Sequence, residues 1–281
     1  MNIRIHHRTA YSYDRPATSI IQVLRLTPRN HEGQRVRNWR IDVDHDVRLQ
    51  RGEDAFGNIT HALSLIHPLE ALSITVEGEV ETHETHGVIA GTVERFPIGL
   101  YLRQSPLTQP DADIVAFARE SAGEGEVLEK LHSLLAAIHG QVQFDTTPTD
   151  VTTTAAKAFA MKRGVCQDLS HVFIAAARSL GIPARYIGGY MLRVDGIVQQ
   201  DAGHAWAEAY VPDFGWVGFD PANGISPSEA HVRVSVGLDY LGAAPVRGSH
   251  QGETAERLDV TVTVDHAAPA PGGSQQHQNQ Q

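Results

Sequence analysis

The sequence predicts an α+β protein, with an antiparallel β-sandwich or barrel in the first hundred or so residues and a mixed region after it. Three observations carry this. From Met1 to about Pro97, apolar and polar residues alternate with period two, broken by turn residues. From Asp111 the apolar spacing lengthens to three and four. Past Gly181 the period of two returns, so helices come first and strands second.

In the first region, "IRIHHRTAYSY" alternates and "SIIQVLRLTP" is a denser β run closed by Pro28. In "NWRIDVDHDVRLQ", Trp39, Ile41 and Val43 fall on one side, with Arg40, Asp42 and Asp44 on the other. "EDAFGNIT" carries a turn at Gly57-Asn58. "HALSLI" and "ALSITVEGEVET" follow, the latter alternating through Leu72, Ile74 and Val76. These read as short strands separated by turns, with no helical period between them.

In the second region, "DADIVAFARES" is a short helix capped by Asp111 or Asp113. "GEVLEKLHSLLAAIHGQV" places Val127, Leu128, Leu131, Leu134, Leu135 and Ile138 on one helical face. "TTTAAKAFAMKRG" offers threonine caps, an alanine-rich body, and Lys162 and Arg163 just before Gly164, where cations favour a helix C-terminus. "CQDLSHVFIAAARSLGIP" is a helix with Leu169, Val172, Phe173, Ala176 and Leu180 on one face, ended by Gly181 and Pro183. "ARYIGGYMLRV", "AWAEAYV" and "WVGFD" are strands, and "ETAERLDVTVTVDH" is one more. The tail from Ala267, "AAPAPGGSQQHQNQQ", lacks apolar content and is expected to be disordered. The divisions are 1–100 for the β-rich domain, 101–245 for the core, 246–266 for a C-terminal strand segment and 267–281 for the tail.

Charge and composition narrow the function classes. A formal net charge of -10 argues against nucleic acid or an anionic membrane as a partner. No segment approaches the ~18 apolar residues of a membrane span, and "MNIRIHHRTAYSYDRP" lacks the apolar core of a signal peptide, so a cytoplasmic location is expected. One cysteine cannot form an internal disulfide. "ETHETH" lacks the spacing of a metal-binding helix, and no metal or cofactor is expected. The Gly188-Gly189 pair suits a strand bend or a close backbone approach.

Chemistry concentrates around that cysteine, Cys166, at the start of its helix. A thiol there faces unpaired backbone N–H groups and the positive end of the helix dipole, which stabilise a thiolate and can donate to an oxyanion. The bland alternative is a small buried hydrophobe, and placement alone leaves the two at even odds. A base and an orienting acid come from "HAWAEAYVPDFGWVGFD". His204, Trp206, Glu208 and Tyr210 share one face, while Ala205, Ala207, Ala209 and Val211 form a face suited to a helix. If Tyr210 lies opposite Trp216, Asp220 becomes the diagonal neighbour of His204, ~7–8 Å away between backbones and within side-chain reach. Asp168 and Gln167 sit in the first helical turn as cleft or supporting residues, and Trp206 and Glu208 share that standing. His171 is half a turn off the direction of Cys166, which suits a structural role.

The blocks "RGVCQDLSHVFIAAARSLGIPARYIGGY" and "DAGHAWAEAYVPDFGWVGFDPANG" resemble the cysteine, histidine and aspartate blocks of the bacterial transglutaminase-like superfamily. "LRLTPR", "DAFGN" and "LSITVEGEVE" resemble the β-rich N-terminal domain that precedes this core in bacterial proteins. The resemblance implies a papain/transglutaminase-like core, helices packed on an antiparallel sheet, behind an N-terminal antiparallel β-sandwich. It also implies Cys166 as nucleophile, His204 as general base and Asp220 as orienting acid. Two positions depart from the pattern: Gly203 stands where relatives carry serine, and Phe144 where they commonly carry tyrosine. The implied activity is acyl transfer through a thioester on a peptide or protein substrate. Hydrolysis by a cysteine peptidase or amidase is favoured, with protein-glutamine transamidation and a non-catalytic binding module as the alternatives.

Overall fold

The computed structural model describes residues 1–147 and 149–267. The sequence expectation of a disordered tail covers residues 267–281, which apart from Ala267 lie outside the described residues.

The first region supplies β1 (Asn2–Ala17), β2 (Ser19–Thr27), β3 (Gln34–Val43), β4 (Gln50–Glu53), β5 (Ile59–Leu65), β6 (Leu69–Thr82) and β7 (Val88–Ile89). Then come α1 (Ala112–Ala122), α2 (Val127–Gln141), β8 (Gln143–Phe144), α3 (Ala155–Met161), β9 (Arg163–Gly164) and α4 (Cys166–Ser179). The remainder is β10 (Ala184–Met191), β11 (Gln199–Gln200), β12 (His204–Val211), β13 (Gly215–Phe219), β14 (His231–Gly237), α5 (Tyr240–Ala243), β15 (Val246–Gln251) and β16 (Glu256–His266).

The first region is a sandwich. One sheet runs β11-β16-β1-β6-β3 and the other β15-β2-β5-β4. Their inner faces meet in a core of Tyr11, Ile20, Leu24, Leu63, Leu72 and Ile74, drawn from both sheets, as period-two patterning requires. Two strands are long rather than short: β1 has 16 residues and β6 has 14. Strand β1 can run that far because β6 and β16 pair with it on both sides, which satisfies its backbone groups.

The C-terminal segment returns to this sandwich. Strand β16 pairs with β1 from Ile3↔His266 to Tyr13↔Glu256, and β15 pairs with β2. Traffic also runs the other way, since β7 adds an edge to the core sheet β14-β10-β12-β13-β7.

Helix α4 is the centre of the core. Leu169, Val172, Phe173 and Ala176 pack against Ala205, Ala207 and Ala209 of β12, with α1, α2 and α3 around them. The small side chains of β12 let a fully buried helix lie close to the sheet. Helix starts follow the predicted caps. Asp111 Oδ1 accepts from Ile114 N–H at 2.9 Å, and Thr154 Oγ1 from Lys157 N–H at 3.2 Å.

Helix α3 ends earlier than its sequence suggests. It stops at Met161 with Lys162 left-handed at φ 54°, and Arg163–Gly164 pair in parallel with β8. A glycine is required at 164 because a Cβ there would lie 2.6 Å from Cβ of Asp168. The Gly188-Gly189 pair marks a register shift between β10 and β14, where a Cβ on Gly189 would come within 2.1 Å of the Val232 carbonyl oxygen.

The two parts share an apolar seam in which Ile3, Val80, Val262 and Val264 meet Tyr190, Leu192, Val232 and Val234. Side-chain amides complete it. Gln34 donates to the Arg233 carbonyl and accepts from its N–H, both at 2.8 Å. Asn58 treats Val236 the same way, again at 2.8 Å on both bonds. The outer edge of β14 is thereby capped by two amides that imitate a neighbouring strand.

Candidate active site

Strands β12 and β13 pair in the predicted register, with Tyr210 opposite Trp216 and Ala207 opposite Phe219. The chain leaves β13 at Asp220, which forms an isolated bridge with Ile225. That geometry brings the His204 and Asp220 side chains together, with Nε2 2.7 Å from Oδ2. His204 is 12% exposed, while Asp220 is fully buried.

Asp220 is saturated with donors. Oδ1 accepts from the backbone N–H groups of Ala222 (3.1 Å) and Asn223 (3.2 Å). Oδ2 accepts from His204 Nε2 (2.7 Å), Asn223 Nδ2 (2.7 Å) and His231 Nε2 (3.2 Å). Burial pushes this carboxyl up, but the His204 charge and these hydrogen bonds win and hold it well below the usual range. Burial likewise disfavours the His204 imidazolium. The Asp220 carboxylate overrides that, with Cys166 adding to the effect, and the imidazole is lifted from 6.5 to about 10.

The bond to Asp220 uses Nε2 of His204, which leaves Nδ1 for a second partner. Cys166 is half-buried and sits at the first position of α4. The first N–H groups of a helix have no partner within the helix, so those of Cys166 and Gln167 are available beside the thiol. The turn into α4 is set by Asp168, whose Oδ2 accepts from Val165 N–H at 2.9 Å. Asp168 is buried, and its carboxyl is pushed up by desolvation. Its other oxygen, Oδ1, has no hydrogen-bond partner among the described residues.

The remaining sequence candidates divide. Trp206 is buried and lies 6.1 Å from the His204 ring at an interplanar angle of 28°, so it backs the imidazole. Gln167 is buried in the first turn beside the thiol. Glu208 is fully buried and lines no open cleft: its carboxylate accepts from Arg185 Nε at 2.6 Å and Arg233 Nε at 2.7 Å. His171 is also structural, its Nε2 accepting from Tyr240 N–H at 3.0 Å. Phe144 stands 51% exposed on β8, which pairs with Gly164 near the start of α4.

His231 and Asn223 are part of the site and were missed by sequence reasoning. Asn223 follows the Asp-Pro turn, a context that signals only a turn. His231 is one histidine of 16, eleven residues after Asp220 and two strands away from β12 in the sheet.

His204, Asp220 and His231 offer ligand atoms within 4.8 Å of one another, the spacing of a metal set. Their vectors suit protons better. Both imidazoles aim Nε2 at the same oxygen, and the other oxygen is pinned by two backbone N–H groups. No helix among the described residues is long and apolar enough to cross a membrane.

Two family models match the chain: the bacterial transglutaminase-like N-terminal region over residues 3–81, and the transglutaminase-like superfamily core over residues 115–221. An uncharacterized protein of Mycobacterium leprae is 32% identical over 279 residues, covering 95% of this chain and 99% of its own. A protein-glutamine gamma-glutamyltransferase of Pseudomonas aeruginosa is 31% identical over 98 residues, 31% of this chain and 15% of that protein. Among solved structures, a proposed cysteine protease from Cytophaga hutchinsonii superposes with a TM-score of 0.75 at 21% identity, covering 96% of this chain and 93% of that one. With the sandwich, the helix-on-sheet core and both matched models in place, the chain belongs to the transglutaminase-like superfamily and carries its bacterial N-terminal region.

Proposed function

We propose that the protein is a thiol acyl-transfer enzyme that hydrolyses peptide or side-chain amide bonds in a peptide or protein substrate. The observation that carries this is the His204–Asp220 pair: a buried carboxylate holds Nε2 of a partly exposed imidazole whose Nδ1 remains free for the Cys166 thiol. Cys166 acts as nucleophile, His204 as general acid and base, and Asp220 orients the ring.

In the first half-reaction the Cys166 thiolate forms an S–C bond to the amide carbonyl. The N–H groups at the start of α4 stabilise the oxyanion. As the C–N bond breaks, the His204 imidazolium gives its Nδ1 proton to the leaving amine. A water then enters, His204 Nδ1 takes its proton, and the new C–O bond displaces the Cys166 thiolate. Acid and thiolate are regenerated together, and no step calls on a cofactor. An amine in place of water would give transamidation with the same three groups. Water needs no binding site for a second substrate, which favours hydrolysis.

The test is iodoacetamide labelling of Cys166 across pH, with His204→Ala alongside, followed by a glutamine peptide offered with a labelled amine. Labelling that persists below pH 7 and weakens in His204→Ala supports the reading. A thiol that is inert or titrates like a free one points to a binding module and overturns it. Peptide fragments support hydrolysis, and label carried into the peptide replaces it with transamidation.

A further inference from the structure

Asp220 accepts from two imidazoles at once, and only one of them faces the thiol. We propose that His231 is a positioning residue: its Nε2–H on Asp220 Oδ2 fixes the oxygen that orients the His204 ring. The kinetic consequence rests on the thiol-enzyme reading above, while the geometric one does not.

The hydrogen bonds define the state of the His231 ring. Its Nδ1 accepts from Ser228 N–H at 3.1 Å, so that nitrogen carries no proton. The ring proton is therefore on Nε2, 3.2 Å from Asp220 Oδ2, and points at it as a donor. The turn that supplies Ser228 is itself closed, with His231 N–H donating to the Ser228 carbonyl at 3.0 Å. His231 is 6% exposed. It also packs edge-on against Trp206 at 5.3 Å, the ring that backs His204. Thus β14 meets the site through the Asp220 carboxylate and the Trp206 indole, and the His231 ring lies 5.8 Å from the His204 ring.

Without this donor, Oδ2 keeps Asn223 and His204 but loses the one support from the far side. The carboxylate is then freer to turn about the pair of backbone N–H groups on Oδ1, and the His204 ring turns with it. The loss falls on the reaction step and leaves substrate binding intact.

The experiment compares full-length wild type with His231→Leu, which removes the donor, and His231→Gln, whose side-chain amide N–H can replace Nε2–H. Ring nitrogen chemical shifts and proton exchange are read by NMR, and kcat and KM are read on a peptide amide. Wild type is expected to show His231 bare at Nδ1 and protonated at Nε2, with a slowly exchanging Nε2 proton on His204. In His231→Leu that exchange quickens and kcat falls about tenfold at constant KM, the loss expected for one hydrogen bond to a charged group. His231→Gln recovers most of both. A proton on Nδ1 of His231 in wild type overturns the proposal. So does a folded Leu variant that keeps the exchange rate and kcat of wild type, or a Gln variant no better than Leu. Should wild type turn over nothing while the ring signals behave as described, the positioning role stands and the thiol-enzyme reading fails.

Discussion

Replacing Asp220 with asparagine separates charge from shape at the site. The volume is unchanged, but the carboxylate that lifts His204 from 6.5 to about 10 is gone. That lift is worth about 5 kcal/mol of preference for the imidazolium, at about 1.4 kcal/mol per pKa unit. Once the carboxylate is removed, desolvation is opposed only by Cys166, and the ring falls back toward its ordinary 6.5. At pH 8 a ring of pKa 6.5 is only about 3% protonated, against nearly complete protonation in wild type. An asparagine also offers one acceptor where Asp220 accepts from five donors, which adds a loss of orientation independent of pH. The expected result is a deficit in kcat/KM that widens by about thirtyfold between pH 5 and pH 8, as the leaving amine loses its acid. The assay is hydrolysis of the best substrate from a fluorogenic peptide-amide panel, by wild type and Asp220→Asn at each pH. A deficit of the same size at both pH values would refute the argument, because it would make Asp220 an orienting group with no hold on the His204 proton.

Three further outcomes follow from the packing and charge. His204 has a raised pKa in the folded state, so its stabilisation is complete below 6.5 and is lost as pH rises through about 10; the Tm gap between wild type and His204→Ala should therefore be widest in acid and close in alkali. Glu208→Gln removes the carboxylate that the buried Arg185 and the partly buried Arg233 share, leaving Arg185 only the more exposed Glu94, and urea unfolding should show a loss of about 3 kcal/mol. Asn58→Ala strips both amide bonds from Val236 and leaves its backbone groups unpaired at the seam, at a cost of about 2–4 kcal/mol by the same measurement.

The sequence by itself determined the strand faces and the helix starts, whose causes are local. Alternation in "HAWAEAYV" put three alanines on the face that meets α4, and pairing Tyr210 with Trp216 was enough to bring His204 to Asp220. Both follow from the fixed period of a strand and the short turn between two of them. Asp111 and Thr154 cap their helices because a helix start leaves N–H groups that a nearby side chain can satisfy. What only the tertiary structure decided involves partners far apart in the chain. Strand β16 closes onto β1, and Gln34 and Asn58 lie about 200 and 180 residues from the β14 groups they cap. Glu208 sits on the His204 face by period, yet it is withdrawn from the cleft because Arg185 and Arg233 arrive from two other strands. His231 joins Asp220 for the same reason: sheet order places β14 two strands from β12, and no spacing along the chain encodes that order.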